Sequence, residues 1–283
     1  MRKYSEKAME LIFMASATVS IIAVAVICIF LFSKGVPAIF EIGIPEFLGG
    51  TIWKPLEGQF GIFPMIVGSV YVTAGAIILG VPVAILCAVF MAKFCSERLY
   101  KMLKPAIDLL AGIPSIVYGF FGLMVVVPMV REVFGGSGKS ILTASILLAI
   151  MILPTIIGVT EAAIRAVPES YYEGALALGA THERSVFFTI LPAAKSGILT
   201  GVVLGIGRAI GETMAVVMIA GNQATLPSSI TSGIRTMTAN IVLEMGYASD
   251  GIHRNALIAT AVVLFVFILI INISLSLLKR RDD

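Results

Sequence analysis

Charged residues are scarce in this chain of 283 residues. Only 13% of its residues are charged, 58% are hydrophobic, and the mean hydropathy is +1.02. Soluble globular domains usually carry about a quarter of their residues as charges. A density half as large, together with several long apolar runs, excludes an ordinary soluble domain and indicates a membrane protein.

Histidine and cysteine are also rare, with two and three residues. Neither His182 nor His253 stands in a metal-ligand or nucleophile–base pattern. Cys28, Cys87 and Cys95 fit no metal spacing and no external disulfide. We therefore expect no metal, no cofactor bound by this chain, no catalytic role and no nucleic-acid partner. A membrane enzyme, the alternative class, would need a reactive constellation that these residues do not form.

Six stretches are apolar over the roughly 20 residues that a membrane-crossing helix needs. They are residues 11–33, 62–92, 105–130, 141–160, 194–220 and 256–278. We predict an all-α membrane protein with about six transmembrane helices in a single domain, residues 1–283. The first stretch is longer than the apolar core of a signal peptide and lacks a cleavage site, so we expect it to be retained.

Basic residues are divided unevenly between the two sides of the predicted bundle. With six spans both termini share one side, and that side holds about twice as many Lys and Arg residues as the other. We therefore predict cytoplasmic N and C termini. Residues 34–61 and 221–255 then form external loops, and residues 161–193 form a long cytoplasmic loop. Trp53, the only tryptophan, is either an interfacial anchor or a contact for an external partner.

Glycine patterns in two places resemble nucleotide-binding motifs without meeting their spacing. The segment 135–140 ends like a P-loop, but Val133 replaces the required first glycine and no strand precedes the segment. Gly205, Gly207 and Gly211 lie within an apolar span and have the wrong spacing for a dinucleotide fingerprint. We therefore expect no energy-coupling site in this chain.

Gly197, Gly201 and Gly205 recur every four residues in the fifth apolar stretch. This spacing predicts a small-residue face on which a neighbouring helix packs closely. Flexibility for gating is the alternative. In the third stretch, Pro114 and Ser115 predict a bend in the helix. The functional alternative is that these two residues line a gate.

The long cytoplasmic loop predicts two short helices separated by a break. Residues 169–178 favour helix, and Gly179 suits a left-handed helix end. Thr181 can cap a second short helix, and Pro192 precedes the fifth span. Apolar residues near the middle of the loop suggest a partner surface. Packing of the loop on its own helix ends is the alternative.

Arg208 and Glu212 are four residues apart in the fifth stretch, and we predict that they share one helix face. Charges are costly in lipid, so both should face the bundle interior or a pore. The planar guanidinium suits a tetrahedral oxyanion, to which Thr213 can add a hydroxyl donor. Glu212 can accept a hydrogen bond from a protonated oxyanion, which favours hydrogen phosphate over sulfate. The alternative is a structural ion pair.

The cytoplasmic loop resembles the coupling loop of ABC importer permeases. The resemblance is carried by Glu173-Gly-Ala175, then Gly179, then Thr189-Ile-Leu-Pro192, at the spacing of that family. Gly174 replaces an alanine of the family pattern, and Thr189 replaces an isoleucine. Residues 111–123 and 208–216, with Trp53–Pro55 and Phe60–Pro64, further resemble the phosphate-specific permeases, the PstC type more than the PstA type.

This resemblance, which covers about residues 50–278, implies a type I ABC importer fold with its core at about 62–278. It assigns a coupling role to Glu173, Gly174, Ala175, Gly179, Leu191 and Pro192. It implies a PstA-type sister permease, a cytoplasmic ATPase dimer that uses ATP, an external phosphate-binding protein, and contact with lipid in a prokaryotic plasma (inner) membrane. A sulfate, molybdate or tungstate permease and a secondary anion transporter are the alternatives, and an added regulatory role is compatible.

Overall fold

The computed structural model describes residues 2–280, and most of them are helical. The helices in chain order are α1 (Arg2–Ile42), α2 (Ile44–Gly49), α3 (Phe63–Val89), α4 (Glu97–Gly112), α5 (Ser115–Phe121), α6 (Val127–Phe134), α7 (Ile141–Arg165), α8 (Glu169–Ala177), α9 (His182–Ser185), α10 (Leu191–Ala193), α11 (Lys195–Gly211), α12 (Met214–Ile219), α13 (Met237–Met245) and α14 (Ile252–Arg280). Three π-helical turns continue neighbouring helices: Phe90–Phe94 after α3, Gly122–Val126 between α5 and α6, and Val186–Ile190 between α9 and α10.

Five helical segments within residues 2–280 are long and apolar enough to cross a membrane. They are Met9–Ile42, Phe63–Phe94, Ser115–Phe134, Ile141–Arg165 and Ile252–Ser274. A sixth crossing is added when His182–Ala193 and Lys195–Gly211, which are bent by 69° relative to each other, are counted as one span. The predicted all-α membrane fold with about six spans is confirmed.

The predicted third span, residues 105–130, is wrong at its start. Residues 97–112 form the separate helix α4, and the span itself is Ser115–Phe134. Ile113 and Pro114 are extended, with ψ of 126° and 142°. A residue before proline is pushed out of helical geometry, so α4 ends at Gly112 and the chain turns before the span begins.

The predicted fifth span, residues 194–220, is not one continuous helix. Helix α11 ends at Gly211, Glu212 is extended with ψ of 131°, and α12 begins at Met214. One carboxylate oxygen of Glu212 accepts a hydrogen bond from the Ala215 amide at 3.2 Å. This side-chain cap satisfies a donor at the start of α12 and so supports the break.

Helices α3, α7 and α11 pack together at the centre of the molecule. Large apolar side chains of α7, among them Leu147, Met151 and Ile152, are fully buried there. Gly80 of α3 lets the two backbones approach, because a Cβ at this position would lie 3.0 Å from the Ala149 carbonyl oxygen. By contrast, much of α1 exposes apolar side chains, as expected for a helix that faces lipid or another subunit.

The first external loop contains a small antiparallel hairpin that the sequence did not predict. Strand β1 (Trp53–Lys54) pairs with β2 (Gln59–Phe60) through a tight turn. Trp53 is 7% exposed and packs edge-on against Phe60, with its ring near His253. Both predictions for Trp53, the interfacial anchor and the contact for an external partner, are therefore wrong, because the indole is part of a buried cluster.

Candidate substrate path and coupling loop

Arg208 lies in the last turn of α11, half-buried where α11 packs against α7. Its Nη1 donates a hydrogen bond to Thr155 Oγ1 of α7 at 3.1 Å. Its charge also acts on the buried Tyr118 of α5. A cation in the last turn of a helix is stabilised by the partial negative charge of that helix end. Arg208 is thus oriented by its hydrogen bond to α7 and keeps donors for a further ligand.

Glu212 does not share a helix face with Arg208, so that prediction is wrong. The helix stops at Gly211, and the Glu212 backbone turns away into the break. Its carbonyl oxygen accepts a hydrogen bond from Thr238 Oγ1 at 3.1 Å. No ion pair links Arg208 to Glu212 among residues 2–280, which also contradicts the alternative of a structural pair. Thr213 Oγ1 donates to the Gly211 carbonyl at 3.2 Å.

Pro114 and Ser115 form the junction between α4 and the third span. Pro114 is exposed, and Ser115 is the first, half-buried residue of α5. The Tyr118 hydroxyl donates to the Leu110 carbonyl at 2.8 Å and so pairs a backbone group near the broken helix end. The two residues therefore stand at an actual change of chain direction, within a few residues of Tyr118.

Gly197, Gly201 and Gly205 lie on the face of α11 that packs against α7. A Cβ at Gly205 would lie 2.6 Å from the Ile156 side chain, and a Cβ at Gly201 would lie 3.0 Å from Thr160 Oγ1. A Cβ at Gly197 would come closest to the side chain of Ala163. The missing side chains let the two helix backbones approach each other beside the Arg208–Thr155 contact.

The cytoplasmic loop has the predicted helix–break–helix form. Helix α8 is followed by Gly179 in the left-handed region, with φ of 84°, and Thr181 Oγ1 accepts from the Arg184 amide at the start of α9. Among the residues assigned to coupling, Ala175 and Leu191 are half-buried, and the exposed ones are Glu173, Gly174, Gly179 and Pro192. Leu178 is 91% exposed and Phe188 is 77% exposed. These apolar side chains form an exposed apolar surface, as the sequence predicted.

The loop is fixed to the end of α3 by contacts that the sequence analysis missed. The Tyr172 hydroxyl and His182 Nδ1 are hydrogen-bonded at 2.7 Å and so join α8 to α9. Phe94 of the π-helical turn packs edge-on against the His182 ring, with centroids 4.8 Å apart. Lys93 pairs with Glu169 at 3.7 Å. No local sequence signal reveals these partners.

Glu161 was expected in the cytoplasmic loop, but it lies within α7 and is buried. Its carboxylate accepts from Arg165 Nε at 2.8 Å and from Lys104 Nζ at 3.3 Å. Burial alone would lower the pKa of the Lys104 amine, but the Glu161 carboxylate holds that pKa above its usual value. The four-residue spacing of Glu161 and Arg165 was a usable signal, whereas the contact with Lys104 was not.

A second charged cluster, centred on Arg235, organises the predicted external face. Arg235 Nη1 donates to Glu244 Oε1 at 2.9 Å and to Asn240 Oδ1 at 3.0 Å. Its Nε donates to the Asn222 carbonyl at 3.0 Å. The cluster therefore ties α13 to the loop that follows α12. It is a structural anchor near the Thr238–Glu212 contact.

The amino-acid sequence matches the family described as binding-protein-dependent transport system inner membrane component over residues 80–281. The chain therefore belongs to this family of inner-membrane permeases. The relatives below also confirm its resemblance to the PstC-type permeases.

The probable ABC transporter permease protein YqgH of Bacillus subtilis is 39% identical over 96% of this chain and 91% of its own length. The phosphate transport system permease protein PstC of Mesorhizobium japonicum is 33% identical over 95% of this chain and 88% of its own length. The protein of the same name from Pasteurella multocida is 34% identical over 84% of this chain and 80% of its own length.

Solved structures with a similar fold are ABC importers of other substrates. A chain of a bacterial ABC transporter involved in alginate import matches with a TM-score of 0.65 and 16% identity, over 99% of both chains. A chain of the inward-facing MetNI methionine ABC transporter matches with a TM-score of 0.59 and 18% identity, over 82% of this chain and 100% of the other. These similarities confirm the type I ABC importer permease fold.

Proposed function

We propose that this chain is the transmembrane subunit of an ATP-driven importer of inorganic phosphate and that it forms half of the translocation pathway. The observation that carries the proposal is the similarity to phosphate transport system permeases named PstC over most of the chain. Arg208 supports it chemically. A half-buried guanidinium inside a permease is a suitable partner for a tetrahedral oxyanion.

The proposed substrate path is built around the remaining donors of Arg208. Thr155 engages one of its nitrogens and orients the guanidinium, and the Thr213 hydroxyl lies in the break that follows α11. Among the contacts within residues 2–280, Glu212 uses Oε1 as a helix cap. Its Oε2 can then accept a hydrogen bond from hydrogen phosphate, a species that carries a proton near neutral pH. Sulfate offers no such proton.

The energy for transport comes, in this proposal, from ATP hydrolysed by a separate cytoplasmic ATPase dimer. The exposed face of the coupling loop, with Leu178, Phe188 and the turn at Gly179, is the docking element. Glu173 lies exposed on α8 beside it. The chain itself acts as a non-catalytic permease subunit, and ATP is not its own cofactor.

A PstA-type sister permease supplies the other half of the pathway in this proposal. The third span exposes a row of apolar side chains close to the Arg208 site, namely Ile116, Val117, Phe120 and Met124. Apolar side chains beside a polar path suit a second subunit that closes the path from lipid. An external phosphate-binding protein delivers the substrate to the opposite face.

The test is uptake of labelled phosphate by vesicles that contain the whole complex, with ATP inside and the binding protein outside. Arg208→Ala is compared with Arg98→Ala, which removes an exposed arginine from α4. We expect ATP-dependent uptake that is lost in Arg208→Ala and kept in the control, with both complexes assembled.

Transport of sulfate or molybdate in place of phosphate would keep the importer and overturn its proposed substrate. Uptake that follows an ion gradient without ATP would overturn the importer itself and favour a secondary anion transporter. Full phosphate uptake by an assembled Arg208→Ala complex would remove Arg208 from the substrate path.

A further inference from the structure

The buried Glu161 carboxylate has no part in the proposed substrate path or in docking of the ATPase. Its side chain is 4% exposed and lies near the end of α7. A charge that is this deeply buried is tolerated when it is paired and hydrogen-bonded. Lys104 and Arg165 supply those partners. The buried carboxylate of Glu161 is thus paired with two cations and is not an isolated charge.

The cluster joins α7 to two helical elements that precede it in the sequence, namely α4 and the π-helical turn at the end of α3. Glu161 and Arg165 belong to α7, whereas Lys104 and Tyr100 belong to α4. Arg165 extends the contact to α3, because its Nη2 donates to the Met91 carbonyl at 2.9 Å in the π-helical turn. Its guanidinium also lies over the Tyr100 ring, 4.5 Å from the ring centroid. A displacement of one of these elements alone would break at least one of these contacts.

Each of the three elements leads directly to a part of the molecule with a proposed role. Helix α7 continues into the coupling loop, and the π-helical turn of α3 holds that loop through Lys93 and Phe94. Helix α4 leads through the bend at Pro114 into the third span, which carries Tyr118 beside Arg208. The pair of Lys104 and Glu161 is therefore one side-chain link between the loop region and the third span.

We propose that Glu161 is a positioning residue that transmits displacement of the coupling loop to α4 and to the bend at Pro114. The proposal rests on the proposed function as an ATP-driven importer. When the ATPase moves the loop, the ion pair with Lys104 makes α4 follow, and the third span is reoriented. Without this contact the ATPase still binds and hydrolyses ATP, but the substrate path does not respond.

A merely structural role makes a different prediction from a transmitting role. If Glu161 only stabilised the fold, variants would reduce the amount of assembled complex, while each assembled complex kept its phosphate uptake per ATP hydrolysed. The decisive quantity is therefore the uptake per ATP, measured together with the amount of ATPase retained on purification.

The variants are Glu161→Gln, which removes the charge and keeps the side-chain size, and Lys104→Met. The second leaves the contact of Glu161 with Arg165 in place, and it removes the pairs of Lys104 with Glu161 and with the more exposed Asp108. Glu97→Gln is the matched control. It breaks a pair with Lys101 on the same helix, whose side chains are 91% and 77% exposed. All are measured in vesicles with the whole complex, ATP inside and the external binding protein.

We expect both variants to retain the ATPase and its hydrolysis, while phosphate uptake per ATP falls about tenfold, as for a coupling interaction of ordinary strength. The control should be unchanged. The double variant Glu161→Gln, Lys104→Met should lose no more coupling than Glu161→Gln alone, because that single variant has already broken the ion pair between the two residues.

Unchanged uptake per ATP in assembled Lys104→Met and Glu161→Gln complexes would overturn the proposal. Failure of both variants to assemble would also overturn it and leave a purely structural ion pair. If the wild-type complex carries another oxyanion, the proposal of phosphate as substrate fails. The proposal for Glu161 is then tested by measuring uptake of that oxyanion per ATP hydrolysed. ATP-independent transport by the wild type would overturn both proposals.

Discussion

Arg208 of α11 hydrogen-bonds to Thr155 of α7 at 3.1 Å, and the two residues are 53 positions apart in the sequence. Glu212, the partner that the local spacing suggested, instead caps the next helix segment. The guanidinium is therefore oriented from a neighbouring helix. Its orientation depends on the packing of α11 against α7, which the glycines at 197, 201 and 205 permit.

Thr155→Val should weaken phosphate transport without unfolding the permease. Valine keeps the shape of threonine but removes the acceptor that orients Arg208. A hydrogen bond to a charged group contributes about 1.5–3 kcal/mol, so we expect KM to rise at least about tenfold with a smaller change in kcat. Thr155→Ser, which keeps the hydroxyl, is the control. Equal KM values for the valine and serine variants would contradict the orienting role.

Glu173→Lys should uncouple the complex or release its ATPase. The residue is exposed on α8 beside the apolar face of the coupling loop, so a reversed charge acts on the partner surface and not on the core of this chain. The measurements are co-purification of the ATPase and ATP hydrolysis stimulated by the external binding protein. Glu97→Lys on α4 is the control. Normal values of both quantities in Glu173→Lys would remove this residue from the coupling surface.

Tyr172→Phe should loosen the coupling loop while leaving the transmembrane helices intact. It removes the 2.7 Å hydrogen bond to His182 but keeps the aromatic ring. A net loss of about 0.5–1.5 kcal/mol predicts local opening that is faster by up to about tenfold. Hydrogen exchange of residues 169–192 measures this opening. Tyr171→Phe, on an exposed neighbour, is the control, and equal exchange in the two variants would contradict the prediction.

Gly205→Ala should destabilise the helix bundle, whereas Gly207→Ala should not. A Cβ at Gly205 would lie 2.6 Å from Ile156, but a Cβ at Gly207 would meet no atom within 4 Å. Overpacking of this kind costs about 1–3 kcal/mol. Thermal unfolding in detergent should show a lower Tm for Gly205→Ala alone. Identical Tm values would show that α7 accommodates the added methyl group without a loss of stability.

Composition and local pattern were sufficient for the membrane fold and for the coupling loop. Apolar runs of about 20 residues leave the chain little choice but helices, because lipid offers no hydrogen-bond partners to an unpaired backbone. Gly179 and Thr181 have local roles, a left-handed turn and a helix cap, so their positions predicted the form of the loop. Such features depend on residues within one or two helical turns.

Tertiary structure decided what the charged residues contact. Glu161 and Lys104 are 57 positions apart, and His182 and Phe94, which are in contact, are farther apart still in the sequence. The break at Glu212 depends in part on Thr238 of α13, which holds its carbonyl oxygen. Periodicity reports which face of a helix a residue occupies, but it carries no information on which helix lies opposite. For this permease, the sequence by itself therefore determined the helices and the loop, and helix packing determined the partners of its buried charges.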